Sequence, residues 1–378
     1  MRLTVPALLV PALRAAVSRL TAVARDLPIL VGYTRPDGLH LRACDGRAVD
    51  LEATIRGVDW IVPSDTIAVP ADSLAQVLAV VPRAQDLAVS LRGTKLRLSA
   101  GAATWDLRTG DASLVPPGAG QAQQGWTVRV VAADLARVLS IARPNVGEEA
   151  RYGLNGIHCE PVLLGGTGAE GLRLVATDGS RLAFGELAVE TQGQDWVGGR
   201  LGLVPPALAD HILALAAAEP AARVVLTLSG RWIAGEAEGG AWRVCGPAMD
   251  GEFPDYRQIL DGMKFACVVR VPRKALSDAL RRATAISREV AIEAREDEIL
   301  ISATDAEAGE LRETVAAAVD RPDNLPRGLR IAYLADCLRV VEADEVTVSL
   351  GKSLDPVLVR GRGAELDGEW VVMPLRLG

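Results

Sequence analysis

VLLGGTGAEGLRLVATDGSRLAF, Val162 to Phe184, carries two short patterns that point to different proteins. Gly166, Gly168 and Gly171 spell GxGxxG behind an apolar run, the form of a dinucleotide-binding loop. Just beyond them stands ATDGSRL. A pyrophosphate loop needs a helix opening at its last glycine, because the free N–H groups and dipole of that N-terminus hold the phosphates. After Gly171 comes LRLVATDG, a short alternating run closed by a turn dipeptide, which reads as a strand. Strand, glycine-rich turn, strand is a hairpin, and the nucleotide reading falls with it.

The second pattern recurs. LRACDGR (Leu41 to Arg47), LVATDGS (Leu174 to Ser180) and ISATDAE (Ile301 to Glu307) share an apolar-x-Ala-x-Asp core spaced about 130 residues apart, which is an internal triplication. A second marker comes after each: ATWDLRT with Trp105, GAWRVCG with Trp242 and GEWVVMP with Trp370. Asp45, Asp178 and Asp305 occupy one repeat position and read as turn formers.

Six segments begin with a short apolar strand and pass directly into a helical pattern: LTVPALLVPALRAAV, IAVPADSLAQVLAVV, VRVVAADLARVLSIA, LGLVPPALADHILAL, VRVPRKALSDALRRA and LRIAYLADCLRVVEA. They start about 60 to 75 residues apart. Four place proline at the junction, where a first-turn proline loses no hydrogen bond. Short β-like runs with Gly or Asp-Gly turns come after each helix, so each half-repeat is one strand and helix and then about three strands. Six such units pair into three similar α+β domains, 1–122, 123–262 and 263–378. PPGAGQAQQG (Pro116 to Gly125), without periodicity, is the first linker, and DGEFPDYRQILDG (Asp250 to Gly262) is the second.

Composition fits that plan. The 378 residues are 49% hydrophobic but only 4% aromatic, so the cores are built from Leu, Val, Ile and Ala. Five cysteines, Cys44, Cys159, Cys245, Cys267 and Cys337, are scattered and never in CxxC spacing, which argues against a disulfide framework and a zinc site and for a reducing cytoplasm. Prolines interrupt the apolar N-terminus, which reads as the first strand and helix rather than a signal peptide. No stretch reaches the eighteen or so apolar residues of a membrane span. His40, His158 and His211 sit in unrelated segments, and no Ser-His-Asp or HExxH pattern appears, so the chain is poorly equipped as an enzyme and calls for no cofactor or metal.

The formal net charge is −7, yet the helices of the odd-numbered units gather cations. The first carries Arg14, Arg19 and Arg25, the third Arg137 and Arg143, and the fifth Arg273, Lys274, Arg281, Arg282 and Arg288. On the fifth, Leu276, Leu280 and Ala283 form the apolar stripe while Lys274, Arg281 and Arg288 recur on the opposite side. An ordinary solvated face is the alternative to a surface for something negative. No base-reading motif accompanies the charges, so any DNA contact is to phosphates.

These residues resemble a known family, the bacterial DNA polymerase III beta subunit or sliding clamp. LPIL (Leu27 to Leu30), RYGLNG (Arg151 to Gly156), LVATDGSRLA (Leu174 to Ala183), GEFPDYRQIL (Gly251 to Leu260) and VVMPLRLG (Val371 to Gly378) carry the match in family order. The resemblance implies three clamp domains per chain and two chains joined head to tail into a ring, helices lining the inside and sheets outside. It implies a processivity factor that encircles double-stranded DNA and tethers the polymerase III alpha subunit, the clamp loader and other proteins bearing a clamp-binding motif.

By motif position, the family's peptide pocket would be Leu154, Thr177, Gly179, Arg181, Leu182, Pro254, Ile259, Val371, Met373, Pro374 and Leu375. The DNA-facing set would be Arg14, Arg25, Arg137, Tyr152, Lys274 and Arg281. At the homodimer interface, Trp105 and Leu107 would lie across from Ile286. Family members often have His where Ser180 stands, a second Tyr where Gly153 stands, and an Arg one position before Arg25. Those departures keep open a specialised second clamp, with a dedicated partner or a role in resistance to a clamp-binding compound. A repeat scaffold that does not touch DNA is the other alternative.

Overall fold

The computed structural model describes residues 2–23, 29–45, 49–62, 66–114, 125–148, 153–165, 168–191, 201–361 and 368–376. One order of elements runs through the chain three times. The first pass is β1 (Arg2–Val5), α1 (Val10–Val23), β2 (Ile29–Arg35), β3 (Gly38–Cys44), β4 (Asp50–Ile55), β5 (Asp59–Val62), β6 (Ile67–Pro70), α2 (Ala71–Val80), β7 (Leu87–Arg92), β8 (Lys95–Ala100) and β9 (Ala103–Arg108). The second is β10 (Trp126–Val131), α3 (Ala132–Ala142), β11 (His158–Leu163), β12 (Glu170–Thr177), β13 (Arg181–Ala188), β14 (Glu190–Thr191), α4 (Pro206–Ala218), β15 (Arg223–Leu228), β16 (Trp232–Ala237) and β17 (Trp242–Pro247). A short helix α5 (Arg257–Gly262) intervenes. The third is β18 (Cys267–Pro272), α6 (Arg273–Ala283), β19 (Glu289–Ala294), β20 (Glu298–Asp305), β21 (Gly309–Ala316), β22 (Ala318–Asp320), β23 (Arg327–Arg330), α7 (Ile331–Val340), β24 (Glu345–Leu350), β25 (Val357–Gly361) and β26 (Glu369–Val372).

Five of the six expected strand-to-helix junctions are present, the first through a 3-10 turn at Ala7–Leu9. The fourth lacks a full strand: Leu203 and Val204 make only isolated bridges, to Met249 and Ile157, before α4. Pro206 opens α4 at its first-turn position, whereas Pro6, Pro70 and Pro272 sit one residue earlier than that position. Pro70 and Pro272 are the N-caps of α2 and α6, with φ of −58° and −59° and no side-chain capping bond. Their contribution is the ring-fixed φ, which joins an extended residue to a helix without a capping oxygen.

The described residues fall into two compact units, one built from residues 2–131 and 221–248, the other from 132–191, 201–220 and 249–376. In the first, α1 packs on α2 and on β3 and β4. It contains a five-stranded sheet, β5-β1-β7-β8-β9, and eight strands of a nine-stranded sheet, β10-β15-β16-β17-β4-β3-β2-β6. In the second, α3 packs on α4 and α6 on α7. Its sheets are β11-β12-β13-β26-β25-β24-β18-β22 and the four-stranded β21-β20-β19-β23. Two antiparallel seams join passes that are distant in sequence: β17 with β4, Trp242 opposite Ala53, and β13 with β26, Arg181 opposite Val372.

The small aromatic content has the expected result. The main core of the second unit is aliphatic, with Val269, Leu280, Ile301, Leu329, Leu338 and Val348 buried together and Trp370 the large ring among them. Helix α6 buries Leu276, Ala279, Leu280 and Ala283. All five cysteines are free and buried. Burial, helped by the neighbouring Glu160 carboxylate, pushes the Cys159 thiol up to about 12. No helix among the described residues is long and apolar enough to cross a membrane.

The Val162 to Phe184 stretch folds as a hairpin. β11 and β12 pair antiparallel with Leu163 opposite Glu170, and the turn closes by Leu164 N–H to Ala169 O at 2.9 Å. Gly168 adopts φ +67°, the left-handed region that costs glycine nothing. Gly171 lies inside β12 with no helix behind it, and Gly166 is outside the described residues. The three repeated aspartates all form turns: Asp45 Oδ1 accepts from Val49 N–H, Asp178 Oδ1 from Ser180 and Arg181 N–H, and Asp305 Oδ1 from Glu307 and Ala308 N–H.

Candidate functional site

The ATDGSRL turn has to present side chains rather than only reverse the chain, and its own polar atoms fix its shape. Besides the two Asp178 bonds, at 2.9 Å each, Thr177 Oγ1 donates to Arg181 O at 2.6 Å and accepts from Gly179 N–H at 3.1 Å. Gly179 turns through φ +87°. Arg181, mostly buried, is then held from several sides. Its Nε donates to Asp178 at 3.0 Å, one Nη to Asp336 of α7 at 2.7 Å and the other to Pro144 O, while the ring of Tyr333 lies 4.5 Å below the guanidinium.

Next to this turn the second unit contains a cavity of about 210 Å³ with an almost wholly apolar lining. Leu154, Thr177, Gly179, Arg181, Leu182, Pro254, Ile259, Val371 and Met373, nine of the eleven residues expected from sequence, line it together. They come from the segment before β11 that carries Leu154, the β12–β13 turn, the β13·β26 seam, the Pro254–Ile259 segment and the residues after β26, which only the fold brings together. Ile259 and Met373 stay substantially exposed at the rim although both are large apolar side chains. Pro374 and Leu375 are not in the lining. The chain turns away after Met373, whose N–H reaches Ser180 O at 2.9 Å, and Leu375 N–H instead bonds Gly328 O at 2.7 Å, beside β23.

Tyr256 is a tenth lining residue that the motif reading left out, although it stands inside GEFPDYRQIL. Its ring faces the cavity and its hydroxyl donates to Glu160 and accepts from Arg173 Nη1 at 3.0 Å. Glu160 is also reached by Arg257 at 2.7 Å and by His158 at 3.6 Å, and Arg173 pairs with Glu186. Burial pushes the Glu160 carboxyl up, but the bonds from His158 and Tyr256 and the Arg257 charge outweigh it and hold the group down at about 2. Burial and the Glu160 carboxylate raise Tyr256 to about 12. A cavity of this size with few polar anchors can bury one or two apolar side chains of a ligand; its described lining holds no nucleophile–base pair.

A family model described as "DNA polymerase III beta subunit, C-terminal domain" matches residues 263–376. Curated beta sliding clamps of Pseudomonas putida and Pseudomonas aeruginosa are 27% and 28% identical over 339 and 319 residues, covering 87% and 82% of both chains. A crystal structure of the Pseudomonas aeruginosa DnaN sliding clamp bound to griselimycin is similar over 100% of both chains at 25% identity and a TM-score of 0.87. The Bartonella birtlesii DnaN clamp has the same fold, with a TM-score of 0.86 at 23% identity. Residues 263–376 thus match the C-terminal domain of that family, and the chain as a whole is similar to bacterial beta sliding clamps. Its α+β architecture is the clamp fold.

The cations that clamp motifs placed toward DNA differ in their surroundings. Lys274 and Arg281 project from α6 with side chains 85% and 75% exposed, both beside Asp278. Arg137 is largely buried and donates to Glu186 O at 3.3 Å. Arg14 donates to Val81 O, the C-cap residue of α2, at 2.9 Å, which makes it a helix cap as much as a surface cation. Arg25 and Tyr152 lie outside the described residues. Trp105 and Leu107, expected from sequence at a dimer interface, sit half-buried on β9, the last strand of its sheet, and Ile286, expected across from them, lies half-buried just past α6 against the core.

Proposed function

We propose that this chain serves as a DNA sliding clamp that closes as a ring-shaped homodimer of three clamp domains per chain, bounded at about residues 122 and 262. The observation that carries the reading is the likeness to solved clamps over the whole chain. The end sheets support closure. β9 and β21 are each the last strand of a five- and a four-stranded sheet, about half the width of the sheets at the internal seams. An unpaired edge is a template for another strand, and pairing β9 of one copy with β21 of the other would complete both. The edges differ in charge: Arg92, Lys95 and Arg108 stand side by side across β7, β8 and β9, while β21 carries Glu310 and Glu313, which pair with Arg312 and Arg282 of the same chain. Like charges in register disfavour one another until acids arrive.

The ring holds duplex DNA by topology, with Lys274 and Arg281 making phosphate contacts that salt screens. The 210 Å³ cavity takes a short Gln- and Leu-containing motif from the polymerase alpha subunit, the loader or a repair factor. The protein acts in the cytoplasm as a processivity factor with no catalytic site of its own. The test is retention. Loaded by a clamp loader onto nicked circular DNA, the chain stays at salt concentrations that strip ordinary phosphate binders, and leaves within minutes once the circle is cut. Equal loss from circular and linear DNA would overturn encirclement.

A further inference from the structure

Pro254 and Ile259 form one wall of the cavity, yet the segment carrying them is not part of any sheet. Its backbone bonds are local, Tyr256 N–H to Pro254 O at 2.8 Å and Ile259 N–H to Tyr256 O at 3.1 Å. Helix α5 is six residues long, has no side-chain cap and buries none of its own residues. Something other than backbone pairing must fix this wall against the sheet. Leu260 and Met263 pack against the sheet's buried Val175, Leu182 and Phe184 cluster, and three further side chains add directed contacts. Phe253 stacks on His158 of β11 with ring centroids 5.0 Å apart, Arg257 reaches Glu160, and Tyr256, 2% exposed, passes between the cavity and the sheet.

Tyr256 is the residue that joins the two environments. The residue is part of the cavity lining; its hydroxyl lies in the charged cluster of Glu160, Arg173 and Glu186 on β11, β12 and β13. The hydroxyl donates to Glu160 and accepts from Arg173, so both of its roles are taken and its direction is set. Glu160, 8% exposed, keeps Arg257 and Arg173 as partners if that hydroxyl is removed, so no charge is left orphaned. Dispersion contacts fall off steeply once a wall moves by even an ångström, and a cavity this small offers a ligand few contacts to lose.

We propose that Glu160 and Tyr256 are positioning residues for the docking cavity: the buried Tyr256–Glu160–Arg173 cluster holds the Pro254–Ile259 wall at the spacing that grips an apolar peptide side chain. This rests on the docking reading of the cavity. A fluorescent Gln-Leu-Ala-Leu-Phe peptide, titrated against the full chain, reads the grip, and hydrogen exchange across residues 255–262 reads the wall without any peptide. Tyr256→Phe weakens peptide binding about tenfold and speeds exchange at 255–262 while β11, β12 and β13 keep their protection. Glu160→Gln weakens binding similarly, and the double variant is within about twofold of either single one, because the two act through one contact. A thermal midpoint within a few degrees of the unmodified chain separates this from general loosening. Affinity within twofold of the unmodified chain in Tyr256→Phe, or unchanged exchange at 255–262, overturns the proposal. If the unmodified chain itself does not bind the peptide, the docking reading falls, and the exchange measurement still decides whether Tyr256 holds the wall.

Discussion

Arg181 and Asp336, 155 residues apart in sequence, meet at 2.7 Å and tie the cavity's turn to helix α7. With Asp178 on the other edge of the guanidinium, the arginine neutralises two carboxylates that face the same partly buried space. Arg181→Leu takes the guanidinium from Asp178 and leaves Asp336 only the exposed Arg339, and is expected to cost about 1 to 3 kcal/mol. Asp336→Asn retains an acceptor and costs less. Calorimetric unfolding of the three proteins gives the order, and equal midpoints would mean that the pair contributes nothing.

Gly153 has φ +67°, and a Cβ added there would lie 2.9 Å from the Glu252 carbonyl oxygen and 3.1 Å from a Leu203 methyl. The backbone is therefore shaped around the absence of a side chain. Gly153→Ala should lose about 1 to 2 kcal/mol from the left-handed conformation alone, and more if Glu252 cannot shift. A denaturant midpoint equal to that of the unmodified chain would contradict this.

The depressed Glu160 carboxyl gives stability a definite acid limb. Its folded value near 2 lies below the ordinary 4.5, so the unfolded chain binds the proton more readily. The stabilisation is complete above the ordinary carboxylate range and is lost as pH falls toward 2, about 3 kcal/mol at most. Urea unfolding at pH 6 and pH 3 should show a smaller fall in Glu160→Gln than in the unmodified chain. Parallel falls would assign the acid limb to other groups.

Ring closure through β9 and β21 makes oligomeric state a sharp reporter. Trp105→Glu and Ile286→Glu each put an unpaired carboxylate where the proposed interface is apolar, which costs several kcal/mol on association. Sedimentation at micromolar concentration should show a dimer for the unmodified chain and monomers for both variants. A monomeric unmodified chain would remove the ring.

Much of this architecture can be read from local chemistry. An apolar run meeting a proline and then a 3.6-residue period announces a strand entering a helix, and the repeated aspartates announce turns, because those signals act within a few residues. The fourth junction escapes for a tertiary reason: Leu203 and Val204 are as apolar as any strand but find only isolated partners. Arg14 shows the same limit. On a helical wheel an arginine that caps Val81 O, 67 residues away, looks like one facing solvent. Motif position located most of the cavity, yet it carried on through Pro374 and Leu375, where the chain has already turned toward Gly328. It passed over Tyr256, whose importance lies in a hydroxyl bond to Glu160, 96 residues away.

The five buried thiols have a practical consequence. A maleimide reacts with thiolate, and thiols that are enclosed, with Cys159 and Cys337 also pushed up by burial, offer it little at neutral pH. A single cysteine placed at exposed Leu354 would therefore take a fluorophore selectively, with no native cysteine replaced. The molecule can be followed one copy at a time on a stretched DNA in its native sequence but for that one residue.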